Sequence, residues 1–440
     1  MAAACGGGDD GGGNNPGGVD ACVGLQCDVK NCAAMNAPPT SISGTVFAPN
    51  GTLPLWNVNV YIPNDAVPAF PEGAQCSRCN DSLPGNAVVR TTTDEAGNFR
   101  LENVPVGSDI PVVISIGKWR KQFTIPAVTA CVDTPIEPTK TSLPKTRAEG
   151  DIPRIAISTG NADGLECLIR KLGIADSEIH TDGSDARIHL FTNTQSGGQG
   201  ASSFAGGFPG GTGNMTDSQT LWGTATKLST YDIVIFSCEG GQFADTKSQD
   251  HMNALKAYAD LGGRVFLSHW HNIWIEGATT PNDGGNQEPL VWPTTSTFDN
   301  GGALGDGIID TVDESGPRGQ SMATWLLNVG ASTQRGQIPI QDDTGKGTAS
   351  GVRGDTERFV YYQDGGTQRP QNFQFTTPYE AGADARCGKV VFSDMHVSGD
   401  STSSPGTPYP GGCAASGLTP QEKALAFMFF DIASCISVIF

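Results

Sequence analysis

Apolar residues follow two different periods along the chain, and the change of period divides it into two regions. From residue 40 to about residue 133, short alternating or β-rich runs are separated by Asn-Gly, Pro-Gly and Ala-Gly-Asn turns. Short strands at this regular spacing are typical of a β-sandwich. The runs cover residues 41–47, 58–62, 87–93, 98–102, 111–116 and 122–125. We therefore predict an all-β sandwich over residues 40–133.

Strand-like and helix-like patterns alternate from residue 151 onward. Residues 233–236 and 265–267 are buried-strand runs, and Met252, Leu255 and Ala259 recur between them at helical spacing. This pattern predicts a βαβ unit, in which the two strands run parallel. Because the alternation continues on both sides, we predict a doubly wound, flavodoxin-like α/β sheet with helices on both faces. Further strands are predicted at 154–158, 187–191, 358–362, 372–376 and 389–393, and further helices at 165–172, 322–329 and 420–432.

Composition marks the boundaries of these regions within the 440 residues. The N-terminal segment combines a Gly/Asn-rich stretch with the Cys-rich sequence CVGLQCDVKNC, which has too few apolar residues for a core of its own. Residues 134–150 are rich in Pro, Thr and Lys, which predicts a linker. The predicted parts are residues 1–39 (tether and Cys-rich segment), 40–133 (sandwich), 134–150 (linker) and 151–440 (α/β domain).

The net charge and the N-terminal sequence limit the possible binding partners and the cellular location of the protein. A formal net charge of -19 repels nucleic acid and anionic membranes, so we exclude nucleic acid as a partner. No apolar run reaches the ~18 residues of a membrane helix. The sequence MAAAC, followed by Gly-Gly-Gly-Asp-Asp, resembles the end of a bacterial lipoprotein signal, with Cys5 as the lipid acceptor and a flexible tether after it. We expect a protein of the bacterial outer membrane or periplasm that meets the membrane only through this anchor; the alternative is that Cys5 is an ordinary cysteine.

Twelve cysteines in an acidic, loop-rich chain favour an oxidising compartment. Cys76 and Cys79 lack a second pair of ligands at zinc-finger spacing, so disulfides are favoured over a zinc site there. We predict a Cys387–Cys435 disulfide from chain direction. Cys387 precedes the last strand, and the helix after that strand runs back antiparallel, which returns Cys435 to the same end of the sheet.

The β region carries a motif that resembles a known domain. The pattern T-D-x-x-G-x-F-x-L-x-x-V-P-x-G runs without a break from Thr93 to Gly107, after SGTVFAPNG and NVNVYIP. It resembles the carboxypeptidase regulatory-like domain, a transthyretin-like or carbohydrate-binding-like sandwich. The resemblance implies a spacer or a binding module. Four aromatic residues are candidates for a sugar platform, although aromatic residues at strand spacing more often belong to the core: Trp56, Tyr61, Trp119 and Phe123.

Four segments of the α/β region carry a second resemblance: YDIVIFSCEGG, the helix ending in Gly262-Gly263, RVFLSHWH and GKVVFSDMH. They resemble the class I glutamine amidotransferase-like fold and, within it, the trehalose-utilisation (ThuA-like) branch. In true amidotransferases a cysteine nucleophile occupies the sharp turn after the strand that matches residues 265–268. His269 occupies that turn here, as in the ThuA-like branch, so the resemblance implies a catalytically silent amidotransferase-like module. We predict no glutaminase activity.

Reactive side chains are concentrated at the carboxyl ends of the predicted parallel strands, where ligands bind in such sheets. Cys238 follows the strand at 233–236 and resembles an elbow nucleophile, with Glu239 placed to orient a histidine. A lone thiolate is seldom preserved in an oxidising compartment, so we favour a disulfide for Cys238. Its expected partner is one of the two cysteines predicted near the same end of the sheet, Cys167 or Cys413.

His269 and His271 follow one predicted strand, and Asp394 and His396 follow another. Because both strands point the same way, the four side chains are expected to converge on one crevice. Two or three histidines with a carboxylate match the ligand set of zinc or another divalent metal, so all four are candidate metal ligands. Trp270 is a further candidate ligand-binding residue. A polar pocket without metal and hydrogen-bonded structural histidines are the open alternatives. The candidate catalytic residues are His269, His396, Cys238 and Glu239.

Two functions fit these patterns. The first is a cell-envelope lipoprotein whose carbohydrate-binding-like sandwich binds glycan or envelope partners and whose α/β module is catalytically silent. The second is a ThuA-like carbohydrate-active enzyme, with a divalent metal as its candidate cofactor. It would use a crevice lined by His269, His271 and His396.

Overall fold

The computed structural model describes residues 22–277, 291–397, 404–413 and 417–436. They form a mixed α/β structure with large sheets and few helices. Cys5 lies outside the described residues, so its lipidation stays a prediction. Among the helices in the described part of the chain, none combines the length and the apolar character that a membrane crossing requires.

The N-terminal β region contains seven strands: β1 Ser41–Thr45, β2 Asn59–Pro63, β3 Ala87–Thr92, β4 Asn98–Glu102, β5 Gly107–Ile116, β6 Trp119–Val128 and β7 Asp133–Pro135. They form a four-stranded sheet, β3-β2-β5-β6, and a three-stranded sheet, β4-β1-β7. Alternating apolar and polar residues favour these strands. In β4, for example, Phe99 and Leu101 are buried and the other three residues are exposed. Because β7 pairs with β1, the start of the predicted linker belongs to this region.

The rest of the described chain alternates strands and helices. The strands are β8 Ile155–Thr159, β9 Ile179–Thr181, β10 Ile188–Thr192, β11 Thr216–Asp217, β12 Ile233–Phe236, β13 Arg264–Ser268, β14 Ser296–Ala303, β15 Ile309–Val312, β16 Gln337–Pro339, β17 Lys346–Val352, β18 Glu357–Asp364, β19 Thr367–Thr377 and β20 Gly388–Ser393. The helices are α1 Leu165–Lys171, α2 Ser218–Trp222, α3 Ala225–Leu228, α4 Gln249–Asp260, α5 Ile273–Glu276, α6 Pro317–Asn328 and α7 Pro420–Ala433.

One large sheet organises this second region. Its order is β11-β10-β8-β12-β13-β20-β19-β18-β15-β16, with β9 paired to β10. Strands from β11 to β20 in this order are parallel, and the strands after β20 continue antiparallel. The predicted βαβ unit is β12-α4-β13. The finer assignments, a transthyretin-like sandwich and a flavodoxin-like sheet, stay predictions.

Helices cover both faces of the large sheet. In β12, Ile233 and Ile235 belong to the core cluster that contains α7, whereas Val234 and Phe236 belong to the cluster that contains α4. Since successive strand residues point to opposite faces, α7 and α4 lie on opposite sides. His189 of β10 is fully buried.

The helix α7 joins the two regions. Within it only Pro420 and Lys423 are not buried. Trp119 of β6 packs against Phe430, with ring centroids 6.1 Å apart, and Trp56 stacks on Phe427 at 5.2 Å. Trp119 is therefore part of the core between the regions and half-buried Trp56 packs against it, which favours the core interpretation of these two residues over a sugar platform.

Five disulfides connect the described residues: Cys22–Cys27, Cys32–Cys131, Cys76–Cys387, Cys79–Cys435 and Cys167–Cys413. The predicted Cys387–Cys435 bridge is wrong. The direction argument considered only the α/β region, whereas the Cys-x-x-Cys segment of the N-terminal region reaches both cysteines and supplies nearer partners. The predicted bridge to Cys238 is also wrong, because Cys167 and Cys413 bond to each other and Cys238 is a free, buried thiol.

Peptide mapping without reduction should find the Cys76–Cys387 and Cys79–Cys435 peptides. Replacing Cys76 and Cys387 together by Ser should lower the free energy of unfolding by about 2–5 kcal/mol, because this bridge closes a long loop of the unfolded chain. The matched control replaces Cys22 and Cys27, whose loop is short, and should cost less. A peptide that joins Cys387 to Cys435 would contradict the connectivity.

Candidate functional site

Three buried side chains from adjacent parallel strands meet at one edge of the large sheet. Cys238 follows β12, His269 follows β13 and His396 follows β20, and these strands are neighbours in that order. The Cys238 Sγ atom lies 3.4 Å from His269 Nδ1, and the ring centroids of His269 and His396 are 5.0 Å apart. One ligand-capable atom from each residue lies within 4.8 Å of the others. We call this group the Cys-His-His cluster.

The backbone of His269 turns sharply at the end of β13. Its φ of 44° lies in the left-handed region, which residues with a side chain rarely adopt. The 3-10 helix His269–Asn272 begins at this residue. The turn brings the imidazole beside Cys238 and the ring of Trp270, whose centroid is 4.8 Å away. Strained conformations of this kind persist where the surroundings impose them and often occur at functional sites.

Hydrogen bonding in the cluster is incomplete. His269 Nε2 and both ring nitrogens of His396 are buried and have no hydrogen-bond partner among the described residues. Leaving a buried polar atom unsatisfied costs about 1–3 kcal/mol. Three such atoms lie together in two adjacent rings, where their lone pairs and N–H groups are free to bind a further group.

Burial keeps the groups of the cluster uncharged. It lowers the pKa of His396 to about 3, with a further contribution from Lys346, and it lowers the pKa of His269 well below its usual value. Burial also raises the pKa of the Cys238 thiol to about 12, although two backbone amides donate to the sulfur. At neutral pH the cluster therefore contains a thiol and two neutral imidazoles.

His271 and Asp394, which the sequence places in the same crevice, have partners of their own. The indole of Trp274 donates to His271 Nδ1 at 2.9 Å, and His271 Nε2 donates to the Ser237 carbonyl at 2.9 Å. The Asp394 carboxylate accepts from the backbone amide of Ala349 at 2.8 Å. The structure thus brings two of the four candidate metal ligands together, and Cys238 joins them in place of His271 and Asp394.

Glu239 belongs to a separate buried network. Its Oε2 accepts from the ammonium of Lys247 at 3.0 Å, and both carboxylate oxygens accept from Asn193 Nδ2. Among the described residues, Glu239 makes no hydrogen bond with His269 or His396. Glu239 Oε1 lies 3.9 Å from His271 Nε2, so the histidine beside Glu239 is His271, which is not a member of the cluster.

Asp163 is a site residue that sequence reasoning missed. It lies in the loop after β8 and is buried. Its Oδ2 accepts from Ser268 Oγ at 2.7 Å and its Oδ1 accepts from the Val397 amide at 2.9 Å. The carboxylate therefore holds the residues next to both cluster histidines. Cys238 was selected because it follows the carboxyl end of a parallel strand. Asp163 meets the same criterion, because it follows β8, which is parallel to β12.

Asp310, also missed, is a buried acid on the antiparallel strand β15. It is fully buried, and neither carboxylate oxygen has a partner among the described residues. Burial raises its pKa to about 8, helped by the negative charge of Asp394. No sequence signal distinguishes it, because its surroundings come from other strands.

Asp310→Asn should stabilise the protein in a pH-dependent way. The folded pKa lies above the unfolded value of 3.8, so the wild-type protein loses stability as pH rises between the two values. Asn does not ionise, so the free energy of unfolding of the variant should match that of the wild type when the pH is near the lower pKa value. Near the upper value it should be higher than that of the wild type by several kcal/mol at most, because each pKa unit corresponds to about 1.4 kcal/mol. Denaturant unfolding at both pH values measures this, with the exposed Asp306→Asn as control. A pH-independent difference would contradict it.

Comparisons with known proteins leave the family open. No family model and no curated protein match the chain. A solved ThuA-like protein from Bacteroides uniformis is similar over 63% of this chain and 90% of its own, with 11% identity and a TM-score of 0.31. Two type II cohesin–X-dockerin complexes from Acetivibrio cellulolyticus are similar over 34% and 30% of this chain and 79% and 84% of theirs, with 16% and 14% identity and TM-scores of 0.16 and 0.17. Likeness at these scores defines neither fold nor activity, so the functional argument rests on the chain's own residues.

Proposed function

We propose that the Cys-His-His cluster binds a transition-metal ion, with zinc as the expected metal. The observation that carries the proposal is the group of three buried, unpartnered ring nitrogens beside a free thiol. Thiolate and imidazole are the ligands that zinc prefers in proteins, and copper takes the same set. A metal bound by Cys238 Sγ, His269 Nδ1 and one ring nitrogen of His396 would give the sulfur and one of the unpartnered His396 nitrogens a partner.

The distances fit such a site. Zinc–ligand bonds of about 2.0–2.3 Å place the ligand atoms of a tetrahedral site about 3.4–3.7 Å apart. The separation of Cys238 Sγ and His269 Nδ1, 3.4 Å, lies in this range. All three ligand atoms lie within 4.8 Å of one another, so a tetrahedral site needs the most separated pair to approach by about 1 Å. Asp163 supports the site by holding the residues adjacent to both histidines.

A metal on three protein ligands has a fourth position for water or substrate, as in catalytic zinc sites. When bound there, the metal would supply a Lewis acid at the carboxyl edge of the sheet. This chemistry favours the enzyme over the catalytically silent module. We propose a carbohydrate as the substrate class, on the strength of the ThuA-like sequence motifs alone.

A cysteine nucleophile is the second candidate, because Cys238 is free and lies within reach of His269. A nucleophile must be a thiolate, whereas burial raises the pKa of this thiol to about 12. The electrostatics therefore oppose a thiol enzyme and are compatible with a metal, whose charge deprotonates a coordinating thiol.

We further propose that the chain functions outside the cytoplasm, in the cell envelope. The five disulfides support this location, because structural disulfides form and persist in oxidising compartments. Lipid anchorage through Cys5 and binding of envelope partners are parts of the same proposal.

Metal analysis of the purified full chain tests the site. After equilibration with zinc and desalting, we expect about one metal ion per chain, the stoichiometry of a single three-ligand site. Cys238→Ser and His396→Ala should each lose most of it. His251→Ala, which changes a histidine outside the cluster, is the matched control and should retain it. Cobalt-loaded protein should show a thiolate charge-transfer band that Cys238→Ser lacks. Wild-type protein that binds no metal under these conditions would refute the proposal.

We also predict that Cys238 does not act as a nucleophile. The metal-free protein should release no ammonia from glutamine, and iodoacetamide should modify Cys238 only after unfolding, because the thiol is neutral and buried. The comparison is labelling before and after denaturation, read by mass spectrometry. Glutamine hydrolysis that Cys238→Ser removes would favour the nucleophile instead.

A further inference from the structure

A cavity of about 580 Å³ lies in the N-terminal β region, a size typical of small-molecule sites. Its floor is formed by the sheet β3-β2-β5-β6. The opposite wall comes from the segment 77–84 and from Ser434 and Cys435. The Cys76–Cys387 and Cys79–Cys435 disulfides fix this wall to the rest of the protein. The cavity is therefore enclosed by a sheet and a covalently tethered loop.

The floor is the polar face of the sheet. Tyr61 in β2 is directly opposite Arg90 in β3. Asn59 in β2 is opposite Ser115 in β5, and Ser115 is opposite Arg120 in β6. Because paired residues point to the same face, these five side chains form two adjacent rows under the cavity. Amide and hydroxyl groups are frequent in its walls: Asn57, Asn59, Ser82, Thr91, Thr92 and Ser115.

Positive charge is concentrated here in a chain whose formal net charge is -19. Arg78, Arg90 and Arg120 line the cavity, and among its described lining residues Asp81 is the one acid. Arg120 Nε donates to Asp151 at 2.7 Å. Arg78 and Arg90 form no ion pair with any residue in the described part of the chain. The walls therefore have unneutralised positive charge.

Three buried donors in these walls lack a partner among the described residues. They are the Tyr61 hydroxyl, Arg120 Nη1 and Arg78 Nε. Tyr61 and Arg120 are almost completely buried, and the Arg120 guanidinium lies 4.0 Å from the centre of the Phe70 ring, which fixes its plane. Burial raises the pKa of Tyr61 to about 12, so its hydroxyl remains a donor at neutral pH. Unpartnered donors beside arginine side chains favour an acceptor that is negative.

We propose that this cavity binds an acidic sugar, with the carboxylate held by Arg120 and Tyr61 and the hydroxyl groups held by the amide and hydroxyl side chains of the walls, while Arg90 adds positive charge at the β3 edge. Guanidinium groups match carboxylate geometry and form charge-assisted hydrogen bonds with it. Inorganic phosphate or sulfate would satisfy the arginines but would leave most of the neutral polar groups unused. The site goes beyond the metal cluster and does not depend on it.

Calorimetric titration of the full chain tests the proposal with D-glucuronate, D-glucose and inorganic phosphate. We expect glucuronate to bind, and glucose and phosphate to bind at least about tenfold more weakly. Glucose lacks the carboxylate, and phosphate lacks the sugar hydroxyl groups. Arg90→Gln should weaken glucuronate binding several-fold, because it removes a positive charge from the cavity lining at an exposed residue without disturbing the core.

Tyr61→Phe is the second variant, and it should weaken glucuronate binding several-fold while leaving the melting temperature nearly unchanged, since its hydroxyl has no partner to lose. Arg100→Gln, on the other sheet, is the charge-matched control and should bind as the wild type does. Cys238→Ser should also bind normally, which separates this site from the metal proposal. Equal binding of glucose, equal binding of phosphate, no glucuronate binding, or wild-type affinity in Arg90→Gln would each overturn the assignment.

Discussion

The burial of α7 is the constraint on which both regions depend. One side of this helix packs on the large sheet, and the other side packs on the N-terminal strands through Phe427 and Phe430. Lys389 of β20 reaches Asp431 of the helix at 3.1 Å, with both side chains buried. A buried charge costs several kcal/mol unless it is paired, so this contact fixes the helix in one position along β20. Without the N-terminal region, the α/β region would expose Phe427 and Phe430 of this helix to water.

Local patterns were sufficient to predict the elements that create the cluster. The strands β12, β13 and β20 are short apolar runs next to turn residues. The helix between β12 and β13 predicts that these two are parallel, and the structure adds β20 parallel to β13. Parallel strands end at the same edge, which is why Cys238, His269 and His396 lie near one another. The sequence therefore indicates where chemistry is concentrated, before any side-chain geometry is known.

Sequence reasoning could not decide which side chains face each other at that edge. A pattern of alternate histidines treats His269 and His271 alike. The left-handed backbone at His269 directs its ring towards Cys238. His271 lies two residues further along the 3-10 helix, and its Nδ1 accepts a hydrogen bond from the Trp274 indole. Contacts between distant segments are equally invisible: the bridge between Cys76 and Cys387 spans 311 residues, and no local spacing encodes it.

The Cys79–Cys435 bridge, which spans 356 residues, closes most of the chain into a covalent ring. Tension applied between the two ends of the described chain would pass from residue 79 directly to residue 435 through the sulfur atoms. The Cys32–Cys131 and Cys76–Cys387 bridges add parallel covalent paths through residues 79–131 and 387–435. Residues 132–386, which contain most of the large sheet, lie outside these paths. A protein tethered at one end and pulled at the other could thus be stretched near its ends while its interior stays folded.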